Sequence, residues 1–240
     1  MFDRLLAVQE HDTAVDRLRH RRRTLPELGE LAAVESSVAA TEAALAEVGG
    51  RRDEAARRQR RHEDELAATE ARIAEVDRRL YSGTVTIPRE LQAMQADREA
   101  LRRRQGGLED EVLEAMGERE PLDEEVAALS AERDRLDGEG ARLRAAVAEA
   151  QAAIDAELDR ETASRADAVV AIPADLASLY ERLRARHDGV GAATLVGNRC
   201  TGCHLTLPAT EIDRIKHLAP DVLVTCDQCG RILVRPSPGR

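Results

Sequence analysis

The chain has 240 residues, of which 34% are charged and only 1% are aromatic, and its formal net charge is −10. So few aromatic side chains leave little with which to line an apolar pocket, which argues against an enzyme or a small-molecule site on the long charged segments. The negative charge disfavours indiscriminate binding to nucleic acid or anionic membranes, although it allows a local basic patch.

The amino-terminal sequence does not have the pattern of an export signal. Charge begins at Asp3, and no segment approaches the run of about 18 uncharged apolar residues that a membrane span requires. We therefore expect a cytoplasmic protein without membrane contact, in which cysteine thiols stay reduced and available to a metal.

Apolar residues recur at alternating steps of three and four over residues 31–80 and again over residues 91–154. This heptad spacing, flanked by charged residues, is typical of a coiled coil. Two such runs of similar length, joined by a short loop, predict an antiparallel hairpin. We expect this hairpin to cover residues 1–166, with a break near Pro26 and its tip near residues 81–88.

The segment that joins the two runs, Tyr81 to Pro88, must interrupt the helix. Gly83 permits the left-handed backbone that ends a helix, and Pro88 suits the first turn of the next one. The apolar residues of this loop have no evident core to enter, so they favour contact with a partner, with local packing over the turn as the alternative. The candidate partner-binding residues at the tip are Tyr81, Gly83, Val85, Ile87 and Pro88.

After residue 172 a compact helix is followed by short β-like segments and by the only four cysteines of the chain. The cysteines form two Cys-x-x-Cys pairs, each at the turn of a predicted β-hairpin. Two such pairs complete a tetrahedral set of thiolates, and four thiolates leave no open position for catalysis. We predict a zinc-ribbon domain over residues 172–240 that binds one structural zinc ion. The predicted ligands are Cys200, Cys203, Cys226 and Cys229.

Three other interpretations of the cysteines are weaker, of which accidental pairing of the four cysteines is the weakest. Disulfides suit a secreted chain, and a redox-active pair needs only one Cys-x-x-Cys in a strand–helix setting. His204 and His217 lie nearby but are not required as ligands. The predicted fold is therefore mainly α, a long antiparallel coiled-coil hairpin followed by a small C-terminal zinc ribbon with short β-hairpins.

Three stretches resemble a bacterial family that has a coiled-coil hairpin and a C-terminal four-cysteine zinc ribbon and is associated with flagella and type III secretion. They are the tip, the helix around Tyr180 to Arg184, and the two cysteine motifs with Gly230 to Leu233. The resemblance covers nearly the whole chain and implies a non-enzymatic role, which in some members involves RNA or an alternative sigma factor. The family often has Asn before the tip proline, where this chain has Ile87. We do not carry the flagellar role over.

Two functions of different classes remain open. The first is a non-enzymatic zinc-binding adaptor or regulatory protein that uses the tip and the ribbon to bind macromolecular partners, above all a protein. The alternative is RNA or DNA binding through the ribbon and its arginines, although Arg199 and Arg231 could instead balance the charge of the zinc–thiolate centre. The oligomeric state is left open. The candidate nucleic-acid-binding residues are Arg182, Arg186, Arg199, Arg214, Lys216, Arg231 and Arg235.

Overall fold

The structure is a computed structural model that describes residues 2–235. Long helices dominate it, and short strands occur only near the C-terminal end of this range. The predicted class, a long helical hairpin followed by a small strand-containing region, is confirmed. In chain order the elements are α1 (Phe2–Arg23), α2 (Pro26–Tyr81), α3 (Pro88–Val170), α4 (Ala174–Arg186), β1 (Ala192–Val196), β2 (Arg199–Cys200), α5 (Ala209–His217) and β3 (Ile232–Val234).

The chain divides into two compact units. The hairpin unit comprises Glu30–Arg142, and the ribbon unit comprises Met1–Gly29 together with Leu143–Arg240. The ribbon unit thus contains both the first helix and the C-terminal end of α3, a grouping that heptad spacing does not reveal. The domain limits expected from the sequence, 1–166 and 172–240, remain a prediction.

A seam of buried aliphatic residues holds together the two arms of the hairpin unit. These residues recur at the heptad positions expected from the sequence, so packing between the arms uses the predicted stripe. Among the described helices, none is both long and apolar enough to cross a membrane. The buried seam residues are Val48, Ala55, Ile73 and Val76 of α2, and Leu108, Ala115 and Leu136 of α3.

The middle of the seam is polar but hydrogen-bonded. Gln59 is only 8% exposed, accepts a hydrogen bond from Arg119 at 2.9 Å and donates one to Glu63 at 2.6 Å. At the same level, Arg58 of α2 pairs with Glu118 of α3 at 2.5 Å. A buried polar group that has partners in only one alignment favours a single register of the two arms.

The ribbon unit contains a three-stranded sheet with the order β2-β1-β3. β1 and β2 are antiparallel, whereas β1 and β3 are parallel, with Ala192 opposite Ile232. Of the expected short β-like segments, the one after the first cysteine pair forms only an isolated bridge, between Thr206 and Arg199. Just before the second pair there is likewise only a bridge, between Thr225 and Ile232. The parallel pairing carries Ile232, which follows the second cysteine pair by only three residues, into the core of the unit.

That core surrounds the first turns of α1. Leu5 and Val8 are completely buried and pack with Ile172, with Leu176 of α4 and with Ile232 of β3. Apolar residues three apart on one face of a helix bury together in this way. The first helix of the chain is therefore packed directly against the strand that follows the second cysteine pair.

One turn further along α1, Asp12 is a carboxylate that is only 1% exposed. The Tyr180 hydroxyl donates to it at 2.7 Å, Arg165 Nε donates at 2.6 Å, and Arg184 Nη2 lies 3.2 Å away. Burial, followed by the hydrogen bond to Asp12, raises the pKa of the Tyr180 hydroxyl above its usual value, so the hydroxyl remains a donor. Asp12 thus links α1 to α3 and α4 through charge-assisted hydrogen bonds.

Candidate metal centre

The four cysteines converge within the ribbon unit. Their Sγ atoms all lie within 4.8 Å of one another, and Cys203 Sγ is 3.9 Å from Cys226 Sγ. A tetrahedral zinc ion with Zn–S bonds of about 2.3 Å holds its sulfurs about 3.8 Å apart. All four cysteines are free thiols. The spacing therefore fits four thiolates around one zinc ion and does not fit two disulfides.

Each Cys-x-x-Cys pair forms a tight turn that closes on the carbonyl of its first cysteine. The backbone N–H of His204 donates to Cys200 O at 2.9 Å, and that of Gly230 donates to Cys226 O at 2.6 Å. Both donor residues have a left-handed backbone, with φ of +60° at His204 and +76° at Gly230. The two turns, called here the first and second knuckle, therefore share one geometry, but only the second has a glycine where positive φ is required.

This difference predicts different effects of two substitutions on stability. We expect Gly230→Ala to lower the free energy of unfolding by about 1–2 kcal/mol, because a Cβ disfavours the left-handed backbone. His204→Gly removes that cost and should leave stability unchanged or raise it by up to about 1 kcal/mol. Urea unfolding of the zinc-loaded proteins measures both changes. Equal losses in the two variants would contradict the shared geometry.

Burial and hydrogen bonds shift the pKa values of three of the thiols in different directions. Cys200 and Cys226 are buried, and burial raises the pKa of the Cys200 thiol and raises that of Cys226 to about 12. Burial also acts to raise the pKa of Cys229, but hydrogen bonds from the backbone and side chain of Arg231 help to outweigh it, so that this pKa is lowered. Zinc must therefore displace protons from buried thiols, which couples metal binding to folding of the ribbon.

Arg231 directly follows the second knuckle and contacts both the first knuckle and the turn before β1. Its Nε donates to Val190 O at 2.9 Å, and its Nη2 donates to His187 O at 3.3 Å. Its aliphatic stem covers Gly202 of the first knuckle, where an added Cβ would lie 2.7 Å from Arg231 Cδ. Arg231 is therefore a structural residue of the metal centre, and Gly202 leaves the space that its side chain fills.

Several other arginines of the candidate nucleic-acid set also have partners inside the protein. Arg235 donates to four backbone carbonyls at the end of α5, between residues 215 and 222, as expected for a basic side chain at a helix C-terminus. Arg199 donates to a carbonyl of the first knuckle, and Arg214 pairs with Glu211. Within residues 2–235, the members of the set whose side chains have no hydrogen-bond or ion-pair partner are Arg182, Arg186 and Lys216.

At the tip of the hairpin unit, four of the five predicted residues are exposed, namely Gly83, Pro88 and the two large side chains Tyr81 and Ile87. Tyr81 is 74% exposed and Ile87 is 60% exposed, whereas Val85 is half-buried. Gly83 adopts a φ of +71°, as expected at the end of α2. Arg98 Nη1 donates to the Tyr81 hydroxyl at 3.0 Å, which fixes the direction of the ring.

The two polar residues that anchor α1 in the ribbon unit were not predicted from the sequence. Gln9 and Asp12 share a helical face with Leu5, Val8 and Val15, and all five are buried. The available signal was their spacing, since polar residues at core positions of a helix require partners elsewhere in the chain. The sequence did not show that those partners lie more than 150 residues away.

Comparison with known protein families matches residues 8–188 to the CT398-like coiled coil hairpin domain and residues 199–233 to the C4-type zinc ribbon domain. The second match, together with the convergence of the four cysteines, confirms the prediction of one structural zinc ion. The first match confirms the hairpin part of the family resemblance.

Similar proteins span nearly the whole chain. Uncharacterized protein Rv2229c of Mycobacterium tuberculosis is 31% identical over 231 residues, which cover 96% of this chain and 94% of that protein. A solved structure from Mycobacterium smegmatis has a TM-score of 0.89 at 29% identity and covers 98% of this chain and 97% of its own. CT398 from Chlamydia trachomatis has a TM-score of 0.72 at 19% identity, with the same coverage of both chains, and supports the fold alone.

Proposed function

Because the chain belongs to the CT398-like coiled coil hairpin family and contains a C4-type zinc ribbon, we propose that it is a non-enzymatic adaptor or regulatory protein. It binds macromolecular partners, above all a protein, through the tip of its hairpin and through its ribbon. The four thiolates fill the coordination sphere of zinc, so the metal supports structure and not catalysis. We place the protein in the cytoplasm, where reduced thiols are available to the metal.

The observation that carries this proposal is the exposure of Tyr81 and Ile87 on an ordered turn. Ser82 Oγ donates to Arg79 O at 2.8 Å, and the hydrogen bond from Arg98 holds the Tyr81 ring. Both side chains are therefore largely exposed to solvent on a turn that hydrogen bonds hold in place. A rigid apolar surface loses little conformational entropy on binding, which favours contact with a partner.

The ribbon unit offers a second exposed apolar surface. Val196 at the end of β1 and Leu205 after the first knuckle are both more than half exposed. Their backbones are held by β1–β2 pairing and by the bond from Cys200 N to Leu205 O at 3.1 Å. The metal-supported part of the chain therefore also presents apolar side chains on a fixed backbone.

Nucleic-acid binding receives less support than protein binding. Arg199, Arg214, Arg231 and Arg235 have partners within the ribbon unit, so phosphate groups would have to compete for them. Affinity for nucleic acid rises with the number of basic side chains that contact phosphate groups. Only three of the seven candidate side chains have no hydrogen-bond or ion-pair partner within the described part of the protein. The flagellar or secretion association of the family is not part of this proposal.

A tip variant with a matched control tests the proposal. We expect Tyr81→Ser with Ile87→Ser to keep the free energy of unfolding within about 0.5 kcal/mol of the wild-type value, since both side chains are exposed. The same variant should lose the proteins that co-purify with the wild-type chain from its own cells. Leu113→Ser, which changes an equally exposed residue of the hairpin unit, should retain them. Retention by the tip variant, or no specific partner of the wild-type chain, would contradict the proposal.

A further inference from the structure

Gln9 of α1 holds the turn between α4 and β1, residues 187–191, although it lies far from that turn in sequence. It is 7% exposed, and its Oε1 accepts the backbone N–H groups of Gly191 at 2.8 Å and Ala192 at 3.2 Å. Its Nε2 donates to Gly189 O at 2.9 Å. One side chain thus satisfies three backbone groups that the turn and the start of β1 do not pair among themselves.

The turn is closely approached by neighbouring groups at both of its glycines. Gly189 has a φ of +89°, and an added Cβ there would lie 2.6 Å from Asp16 Oδ2. At Gly191 an added Cβ would lie 2.8 Å from the backbone carbonyl of Tyr180. The turn is therefore enclosed by α1 on one side and by α4 on the other, with Gln9 supplying its hydrogen bonds.

The same turn binds Arg231, the residue that contacts both knuckles. The backbone carbonyls of Val190 and His187 accept hydrogen bonds from the guanidinium of Arg231. The backbone carbonyl of Arg231 in turn accepts a hydrogen bond from the backbone N–H of Cys226 at 2.9 Å. The next residue, Ile232, donates its backbone N–H to Gly191 O at 3.0 Å. A continuous series of hydrogen bonds thus runs from Gln9 through the turn and Arg231 to the cysteines of the second knuckle.

We propose that Gln9 is a positioning residue of the zinc centre, which acts through the turn and Arg231 without touching the metal or its ligands. α1 thereby contributes to metal affinity as well as to the fold. Because coupling between two sites is reciprocal, bound zinc also strengthens the contact of α1 with the turn. This inference does not depend on the proposed adaptor function.

Zinc affinity is the readout of this role, and its dependence on Arg231 separates the role from a general loss of stability. We expect Gln9→Ala to raise the zinc dissociation constant of the full-length protein about tenfold. Loss of residues that support metal ligands typically weakens metal binding about 10–100-fold, so this value is the low end of that range. Competition with a chromogenic zinc chelator at fixed pH gives the value. Gln59→Ala is the matched control, since it removes a buried, hydrogen-bonded glutamine from the hairpin unit, and it should change the dissociation constant less than about twofold.

A second variant keeps the test valid if Gln9→Ala folds poorly. Gln9→Met preserves the length and packing of the side chain but removes its hydrogen bonds, and it should weaken zinc binding to a similar extent. Unchanged zinc affinity in both Gln9 variants, or an equal loss in the Gln59→Ala control, would overturn the proposal.

A double-mutant cycle tests the route through Arg231. If Gln9 acts through Arg231, then Gln9→Ala combined with Arg231→Ala should bind zinc no more than about twofold more weakly than Arg231→Ala alone. If the double variant instead raised the zinc dissociation constant by the product of the two single-variant factors, the residues would act independently, and this route would be overturned.

Discussion

Removal of zinc with a chelator is expected to unfold the ribbon while most of the helical circular dichroism remains. The core around the cysteines is small and is built from a few aliphatic residues of the strands and α5, such as Leu195, Ile215 and Leu233. A structural zinc site of this kind supplies on the order of 10 kcal/mol of folding free energy. The hairpin unit has its own apolar seam, which does not include the metal centre.

Hydrogen exchange of backbone amides in zinc-loaded and zinc-free protein gives the decisive comparison. Amides of residues 192–234 should lose protection when zinc is removed, and those of α2 and α3 in the hairpin unit should retain it. Cys226→Ser in the presence of excess zinc should resemble the zinc-free protein, because Cys226 is one of two buried ligands. Unchanged protection of the ribbon amides without zinc would contradict the assigned structural role.

Asp12→Ala is expected to lower the free energy of unfolding strongly, although Asp12 lies outside the metal centre. Breaking a buried ion pair costs about 3–5 kcal/mol, because the charges that remain lose their partner. We expect about 3 kcal/mol here, the low end of that range, since Arg165 keeps Glu181 and Arg184 keeps Asp16 as partners. Urea unfolding of the zinc-loaded protein measures the change.

Asp155→Ala is the matched control for this substitution. Asp155 pairs with Arg22 of α1 at 2.8 Å, but both side chains are substantially exposed. Exposed ion pairs contribute little because water and salt screen them, so this variant should retain nearly all of the wild-type stability. Similar effects of the two substitutions would show that burial of Asp12 does not matter.

The hairpin and the metal ligands could be predicted from sequence because their signals are local or evenly spaced. Heptad steps depend only on neighbours within one helix, and Gly83 marks the end of α2 by its conformational freedom alone. The four metal ligands are equally easy to predict, because each cysteine pair is a short motif and the chain has no other cysteine.

Contacts between distant parts of the chain could not be predicted in this way. Gln9 and Asp12 bind groups that follow them by more than 150 residues, and no periodicity links the two ends. The roles of Arg231 and Arg235 were uncertain for the same reason. The carbonyl partners of Arg231 become apparent only when the parallel pairing of β1 with β3 brings the second knuckle against the turn before β1. Those of Arg235 become apparent only when the residue after β3 meets the end of α5.

The most direct test of the metal centre is elemental analysis of the purified full-length protein, combined with titration of its thiols after the metal is released. Four sulfurs within 4.8 Å of one another predict one zinc ion per chain and four titratable thiols. A zinc content far below one per chain, or cysteines recovered as disulfides from protein purified under reducing conditions, would contradict the structural zinc site.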